Sequence, residues 1–303
     1  MANKPIVFIG STVVDVLMNI PHLPNSSEDI NVQSQSLSLG GCAFNASWMC
    51  HLLGVDYLLF SPIGTGVYAD YIRKEMHNLH LAPSILQSEE ENGCCYCLIE
   101  ENGERSFLSY HGAEYKFKKE WFALLDQQDV DTVYVCGLEL EEESGIYILE
   151  YLERNPHVTI YFACGPRIQH IPKTNMKRIM KCHPILHLNE EEALQYTSCS
   201  TLLEALQELY KQNQNLIIVT LGRNGCAYFD GHTYTHIPID EVNAIDTTGA
   251  GDCHIGSYIA YRTMHTSIEE ALTKSNHIAK AIVSKKGAIL STTEFEHLKS
   301  ESQ

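Results

Sequence analysis

The sequence predicts a doubly wound α/β domain: a mainly parallel sheet with helices on both faces and a small antiparallel β lid. Short β-type runs alternate with helix-period segments, and two early regions break that rhythm. The composition is also ordinary for a globular chain. Of 303 residues, 44% are hydrophobic and 19% charged, enough for a sizeable core and too apolar for extensive disorder.

Met1-Ala2-Asn3-Lys4-Pro5 runs straight into the apolar segment Ile6–Ile9. That segment is too short for a signal peptide and lacks a cleavage signature, and no apolar run approaches bilayer-spanning length. The expectation is a cytoplasmic protein without a membrane partner. Further strand-like runs fall at 57–60, 132–135, 158–162, 185–188 and 216–221. Helix-period segments fall at 44–53, 68–79 and 201–210, the last with an apolar stripe of Leu202, Leu203, Leu206 and Leu209. Residues 13–38 and 94–110 depart from the alternation. In the second, Glu101-Asn102-Gly103-Glu104 interrupts two extended runs as a hairpin turn does. Together these regions form the expected lid on a single domain spanning 1–303, suited to closing over a ligand and excluding water.

The net charge of -17, from 38 acidic and 21 basic residues, would repel a phosphate backbone, so nucleic acid is excluded as a partner. Eleven cysteines, an odd number spread along the chain, read as reduced thiols and not as a disulfide framework. Cys94 and Cys97 form a C-x-x-C in an extended stretch, where positions three apart point to opposite faces. With no second such pair, the structural reading is favoured over a metal site.

The chemistry concentrates in Asp246-Thr247-Thr248-Gly249-Ala250-Gly251-Asp252, followed by a helix-compatible run over 253–264. Small residues entering a helix leave backbone N–H groups free at its positive end, an anion site suited to phosphate. Asp252, in that first turn, is expected to stay ionised and to accept a proton from an attacking hydroxyl. An isolated G-A-G-D would read equally as a tight turn with an acidic cap. Upstream, Gly40-Gly41-Cys42-Ala43-Phe44-Asn45 leads into another helix, and Asn45 offers the donor and acceptor a polyhydroxylated ligand needs. Neither the Walker pattern nor G-x-G-x-x-G occurs, which counts against P-loop and dinucleotide enzymes.

These two segments, in this order near the two ends of the chain, resemble the paired signatures of the ribokinase-like (PfkB) carbohydrate kinase family. The resemblance implies an ATP-dependent phosphotransferase acting on an alcohol group of a sugar or sugar-like molecule, with ATP and Mg2+ as cofactors. By it, Asp252 is the catalytic base, and Gly249, Ala250 and Gly251 form the anion hole for the transferring phosphoryl group. Asn189 and Glu192, in Asn189-Glu190-Glu191-Glu192, match the motif that organises magnesium and phosphate through water; the same string also reads as a helix start. Thr220 and Gly222 match the nucleotide segment, and Asn276 falls where adenine is contacted. Asp246 and Thr248 match positions that hold a monovalent cation, implying K+. Asp15, Gly41 and Asn45 match sugar contacts, with Glu139 as a further substrate contact. Some family members pair their lids, implying a homodimer.

The chain departs from the family pattern on the substrate side. Ala163-Cys164-Gly165-Pro166-Arg167 keeps an Arg but lacks the usual Asp, so Arg167 is expected to meet phosphate or an acidic substrate. His254 replaces a frequent Phe, and Gly64-Thr65-Gly66 replaces an acidic pair. A nucleoside such as pseudouridine stays open beside simple sugars, as does a non-catalytic sensor on the same fold.

Overall fold

Short runs of β-branched and aromatic residues, buried on both faces, build the central sheet of the computed structural model, which describes residues 4–301. Met1, Ala2 and Asn3 of the N-terminal stretch, with residues 302 and 303, lie outside the described residues. The strands are β1 (Ile6–Ile9), β2 (Val13–Ile20), β3 (Ser34–Gly40), β4 (Tyr57–Phe60), β5 (Pro62–Thr65), β6 (Leu86–Glu91), β7 (Cys94–Glu100) and β8 (Arg105–Tyr110). They continue with β9 (Thr132–Cys136), β10 (Thr159–Ala163), β11 (Ile185–Asn189), β12 (Ile217–Thr220), β13 (Cys226–Phe229) and β14 (Tyr234–Ile237). The helices are α1 (Cys42–Leu53), α2 (Gly66–Asn78), α3 (Phe122–Leu125), α4 (Gly137–Glu141), α5 (Gly145–Arg154) and α6 (Lys173–Lys181). Then come α7 (Glu190–Thr197), α8 (Leu202–Asn213), α9 (Ala250–Thr263), α10 (Ile268–Val283) and α11 (Thr292–Glu301).

The main sheet has the order β14-β13-β12-β11-β10-β9-β1-β4. From β12 to β4 all neighbours are parallel, while β13 and β14 close one edge as an antiparallel hairpin. Strand alternation divides the side chains between two cores. Val7, Ile9, Val133 and Val135 face α5, α6 and α8; Ile6, Phe8 and Tyr134 face α1, α9 and α10. Leu206 and Leu209 of α8 are buried as the apolar stripe predicts, whereas Leu203 points outward at 48% exposure.

Residues 13–38 and 94–110 supply a separate four-stranded sheet, β3-β2-β7-β8, and no strand of it joins the main sheet. It consists of two antiparallel pairs, β2 with β3 and β7 with β8, joined by a parallel contact between β2 and β7. The edge hairpin β13–β14 and the small parallel pair β5–β6 escape the sequence reading, being four to six residues long with weak periodicity.

One close approach positions the site. A Cβ on Gly256, in the middle of α9, would come within 2.1 Å of the Ala46 carbonyl oxygen of α1. Only hydrogen lets the two helices meet at this distance. Gly256→Ala is expected to destabilise the fold by about 1–3 kcal/mol in urea unfolding, although alanine favours an isolated helix by about 1 kcal/mol.

Candidate active site

The turn ahead of α9 is shaped by a glycine with no alternative. Gly249 has φ 73°, and a Cβ there would lie 2.3 Å from the Ala288 carbonyl oxygen. In this left-handed conformation Gly249 is the N-cap, so α9 starts at Ala250, three residues before the expected 253. Ala250 N–H reaches the Thr247 carbonyl at 3.3 Å. The N–H groups of Gly251 and Asp252 carry no backbone bond among the described residues and sit at the helix's positive end. A Cβ at Gly251 would meet nothing within 4 Å, so this end of the helix opens onto free space.

Asp252 lies beside that opening. Asn45 Nδ2 donates to its Oδ2 at 3.0 Å, across 207 residues of chain. Burial pushes the carboxyl up to about 6, against the pull of the Asn45 and Cys42 side chains, and the Glu192 charge pushes the same way. Burial therefore works against the ionised state that the helix dipole alone would favour. Asn45 Oδ1 is buried with no partner among the described residues, an acceptor open to a ligand. Gly41, at φ 99°, lets the chain turn into α1 within 2.5 Å, at its Cβ position, of the Ser11 carbonyl.

Asp15, on β2, is 8% exposed, and its carboxylate has no hydrogen bond or ion pair among the described residues. Burial, then the charges of Cys95, Asp252 and Asp246, raise its carboxyl to about 7. Glu139, in α4, is fully buried, and Ser11 N–H donates to its Oε1 at 2.8 Å. Burial outweighs that bond and lifts Glu139 to about 7. Asn189 and Glu192 form a reciprocal capping box at the start of α7: Glu192 N–H to Asn189 Oδ1 at 2.8 Å, Asn189 N–H to Glu192 Oε2 at 2.9 Å. The other Glu192 oxygen accepts nothing among the described residues.

A cleft of about 230 Å3 runs from Gly251 to Thr220, Gly222 and Asn276. Its walls are Ile239, Val242, Ala279 and Val283, an apolar slot leading to a helix N-terminus and thus a shape for a base and its phosphates. The Asn276 amide is committed locally, its Nδ2 to the Ile237 carbonyl at 3.1 Å and its Oδ1 to His254 Nε2 at 3.2 Å. His254 also meets His187 at 3.1 Å. Burial lowers both rings, His254 to about 4, so this floor of the cleft is uncharged.

At two expected sites the side chains have protein partners. Arg167 lies exposed after β10, clamped by Glu141 at 2.8 and 2.5 Å, and makes no bond to Asp15, Asn45 or Asp252. The lost Asp of its string leaves Glu141 as its partner. Asp246 and Thr248 both meet a protein cation. Arg105, at the start of β8, donates through Nη1 to Asp246 Oδ1 and to Thr248 Oγ1, the latter at 2.7 Å. Burial opposes ionisation of Asp246, yet the N–H groups of Gly287 and Thr248 and this guanidinium hold its carboxyl below the ordinary value. Arg105 is absent from the sequence reading; its position directly after the 101–104 turn, on a segment expected to fold over the site, was the available signal.

A family model, "pfkB family carbohydrate kinase", matches residues 3–294. Similar in sequence are the Escherichia coli K12 protein named "Uncharacterized sugar kinase YegV", 33% identical over 97% of this chain and 93% of its own, and the Salmonella typhi deoxyribokinase, 23% identical over 93% of each. Among solved structures, ribokinase from Thermotoga maritima superposes with TM-score 0.84 at 22% identity, covering 98% of this chain and 99% of that one. Adenosine kinase from Sinorhizobium meliloti gives 0.85 at 19%, covering 99% and 100%.

The raised carboxyl of Glu139 makes a signed prediction. Its neutral form is favoured in the folded state, so the stability it contributes is complete below pH about 4.5 and lost as pH rises through about 7. Glu139→Gln should remove up to about 3 kcal/mol of that fall, measured as a flatter dependence of unfolding free energy on pH.

Proposed function

The chain belongs to the pfkB family of carbohydrate kinases, ATP-dependent enzymes that phosphorylate sugars, and we propose that Asp252 is its general base toward a small sugar with a primary hydroxyl. The observation that carries this is the Asn45–Asp252 hydrogen bond beside the free N–H groups of Gly251 and Asp252. It supports a carboxylate and an anion hole acting at one point. Curated relatives named as deoxyribokinase and ribokinases support a sugar over a nucleoside.

In this reading the sugar lies between Asp15 and Asn45, with its reacting hydroxyl at Asp252. Asp252 takes the hydroxyl proton as the oxygen bonds to the γ-phosphorus and the bond to the β-phosphate oxygen breaks, leaving ADP. The Gly249-Ala250-Gly251 turn receives the charge on the transferring group. The apolar slot takes the base, with Thr220 and Gly222 at its edge. Magnesium entering with ATP would neutralise phosphate charge. Asn189 and Glu192 would hold it through water, and the repulsion between Glu192 and Asp252 is relieved by a cation near them. Glu139 acts from beneath, fixing the Ser11 backbone. Arg167, paired with Glu141, lies outside the sugar site in this reading.

The sheet β3-β2-β7-β8 acts as a lid over the sugar. Its outer edge, β8, exposes Phe107, Leu108 and Tyr110, which supports pairing of two lids in a homodimer. Among the described residues no helix is long and apolar enough to cross a membrane. Arg105, and not a bound potassium ion, supplies the positive charge beside the anion hole.

An ATP-consumption assay across sugars and nucleosides tests the substrate class; turnover with nucleosides alone would overturn it. With the active sugar, the rate should rise with pH through about 6. Asp252→Asn should lower kcat by about 10²–10⁴-fold with ATP binding retained, and normal turnover by that variant would refute the base. Replacing K+ by tetramethylammonium should leave the wild-type rate unchanged. Arg105→Ala should lose about 10–100-fold, the value of a buried charge-assisted bond.

A further inference from the structure

Strand periodicity separates Cys94 from Cys97 but brings Cys95 and Cys97 onto one face of β7. Cys94 packs into the core between the accessory sheet and α2, whereas Cys95 and Cys97 stand beside Asp15. Strands β2 and β7 run parallel with Asp15 in register with Cys95 and Leu17 with Cys97. We propose that Asp15, Cys95 and Cys97 form a binding site for a thiophilic divalent cation, zinc above all, on the sugar-facing side of the accessory sheet.

The geometry suits that ion. The two sulfurs are 3.9 Å apart; two thiolates at about 2.3 Å from a tetrahedral zinc stand roughly 3.8 Å apart. One oxygen of Asp15 and both sulfurs lie within 4.8 Å of one another. Asp15 is 8% exposed, and its carboxylate has no hydrogen bond or ion pair among the described residues and faces the charges of Asp252 and Asp246. The neighbouring cation, Arg105, is held by Asp246 and Thr248. Ser109 Oγ lies 3.7 Å from Cys95 Sγ, and the Cys95 carbonyl oxygen 3.9 Å from Cys97 Sγ. Binding forms two Zn–S bonds and one Zn–O bond and releases the thiol protons to solvent. The fourth position stays open to water, as in three-ligand zinc sites. Magnesium, which prefers oxygen donors and octahedral geometry, is selected against.

The inhibitory consequence rests on the assignment of Asp15 to the sugar: metal and sugar would compete for one carboxylate. The metal site itself does not depend on that assignment. The test uses the full, reduced, metal-free chain titrated with Co2+, read by the thiolate-to-cobalt charge-transfer band and its displacement by Zn2+. The band is expected in wild type and in Cys182→Ser, and lost in Cys95→Ser and in Cys97→Ser. If Cys97→Ser fails to fold, Cys95→Ser, at a half-buried position, decides. No band in wild type, or a band that survives Cys95→Ser, overturns the site. In the kinase assay, saturating Zn2+ should raise the apparent KM for sugar tenfold or more with kcat unchanged in wild type, an effect lost in Cys95→Ser. A normal cobalt band with inhibition that is not competitive toward sugar would keep the metal site and overturn the sugar assignment of Asp15.

Discussion

Everything at the candidate centre depends on how closely α1 and α9 can approach. The Ala46 carbonyl lies where a side chain at position 256 would begin, so a bare glycine sets the distance between two helices whose sequences are 200 residues apart. That distance decides whether Asn45 reaches Asp252. Both helices enter from glycine turns, Gly41 and Gly249, each with positive φ and each pressed on a backbone carbonyl. The site is therefore fixed by backbone contacts, which relax less readily than side-chain rotamers.

Asp246 carries the second constraint. One carboxylate joins the Thr248 N–H, the Gly287 N–H and the Arg105 guanidinium, tying the 246–252 turn to the loop after α10 and to the accessory sheet. A buried carboxylate without such partners would be neutralised or costly. Here it is the counter-charge to the only arginine of the accessory sheet, which it holds beside the turn leading into α9.

How far the sequence discloses this varies by residue. The six parallel strands are legible because each is a short apolar run bounded by turn residues, and the turn 246–252 is legible because glycine spacing encodes backbone shape. The capping box at Asn189 and Glu192 is likewise a local pattern, written within four residues. Arg105 is not legible: its partners are 141 and 143 residues away, and nothing in its neighbourhood names them. The Cys95–Cys97 pair is hidden for a different reason. C-x-x-C draws attention to Cys94, and only the strand's two-residue period, applied one position on, reveals the facing pair. Arg167 shows the converse, a residue whose motif suggests a ligand but whose partner is Glu141 on the same surface.

The parallel sheet sends β1, β9, β11 and β12 toward the same rim, and the candidate residues Glu139, Asn189 and Thr220 sit at or just beyond those strand ends. The opposite rim carries exposed connections such as Gln127–Gln128 and Pro156–His157, which bear none of this chemistry. Fluorophores, affinity handles or an inserted domain attached there would report on or immobilise the protein from the side facing away from the cleft, leaving the route for small molecules unobstructed.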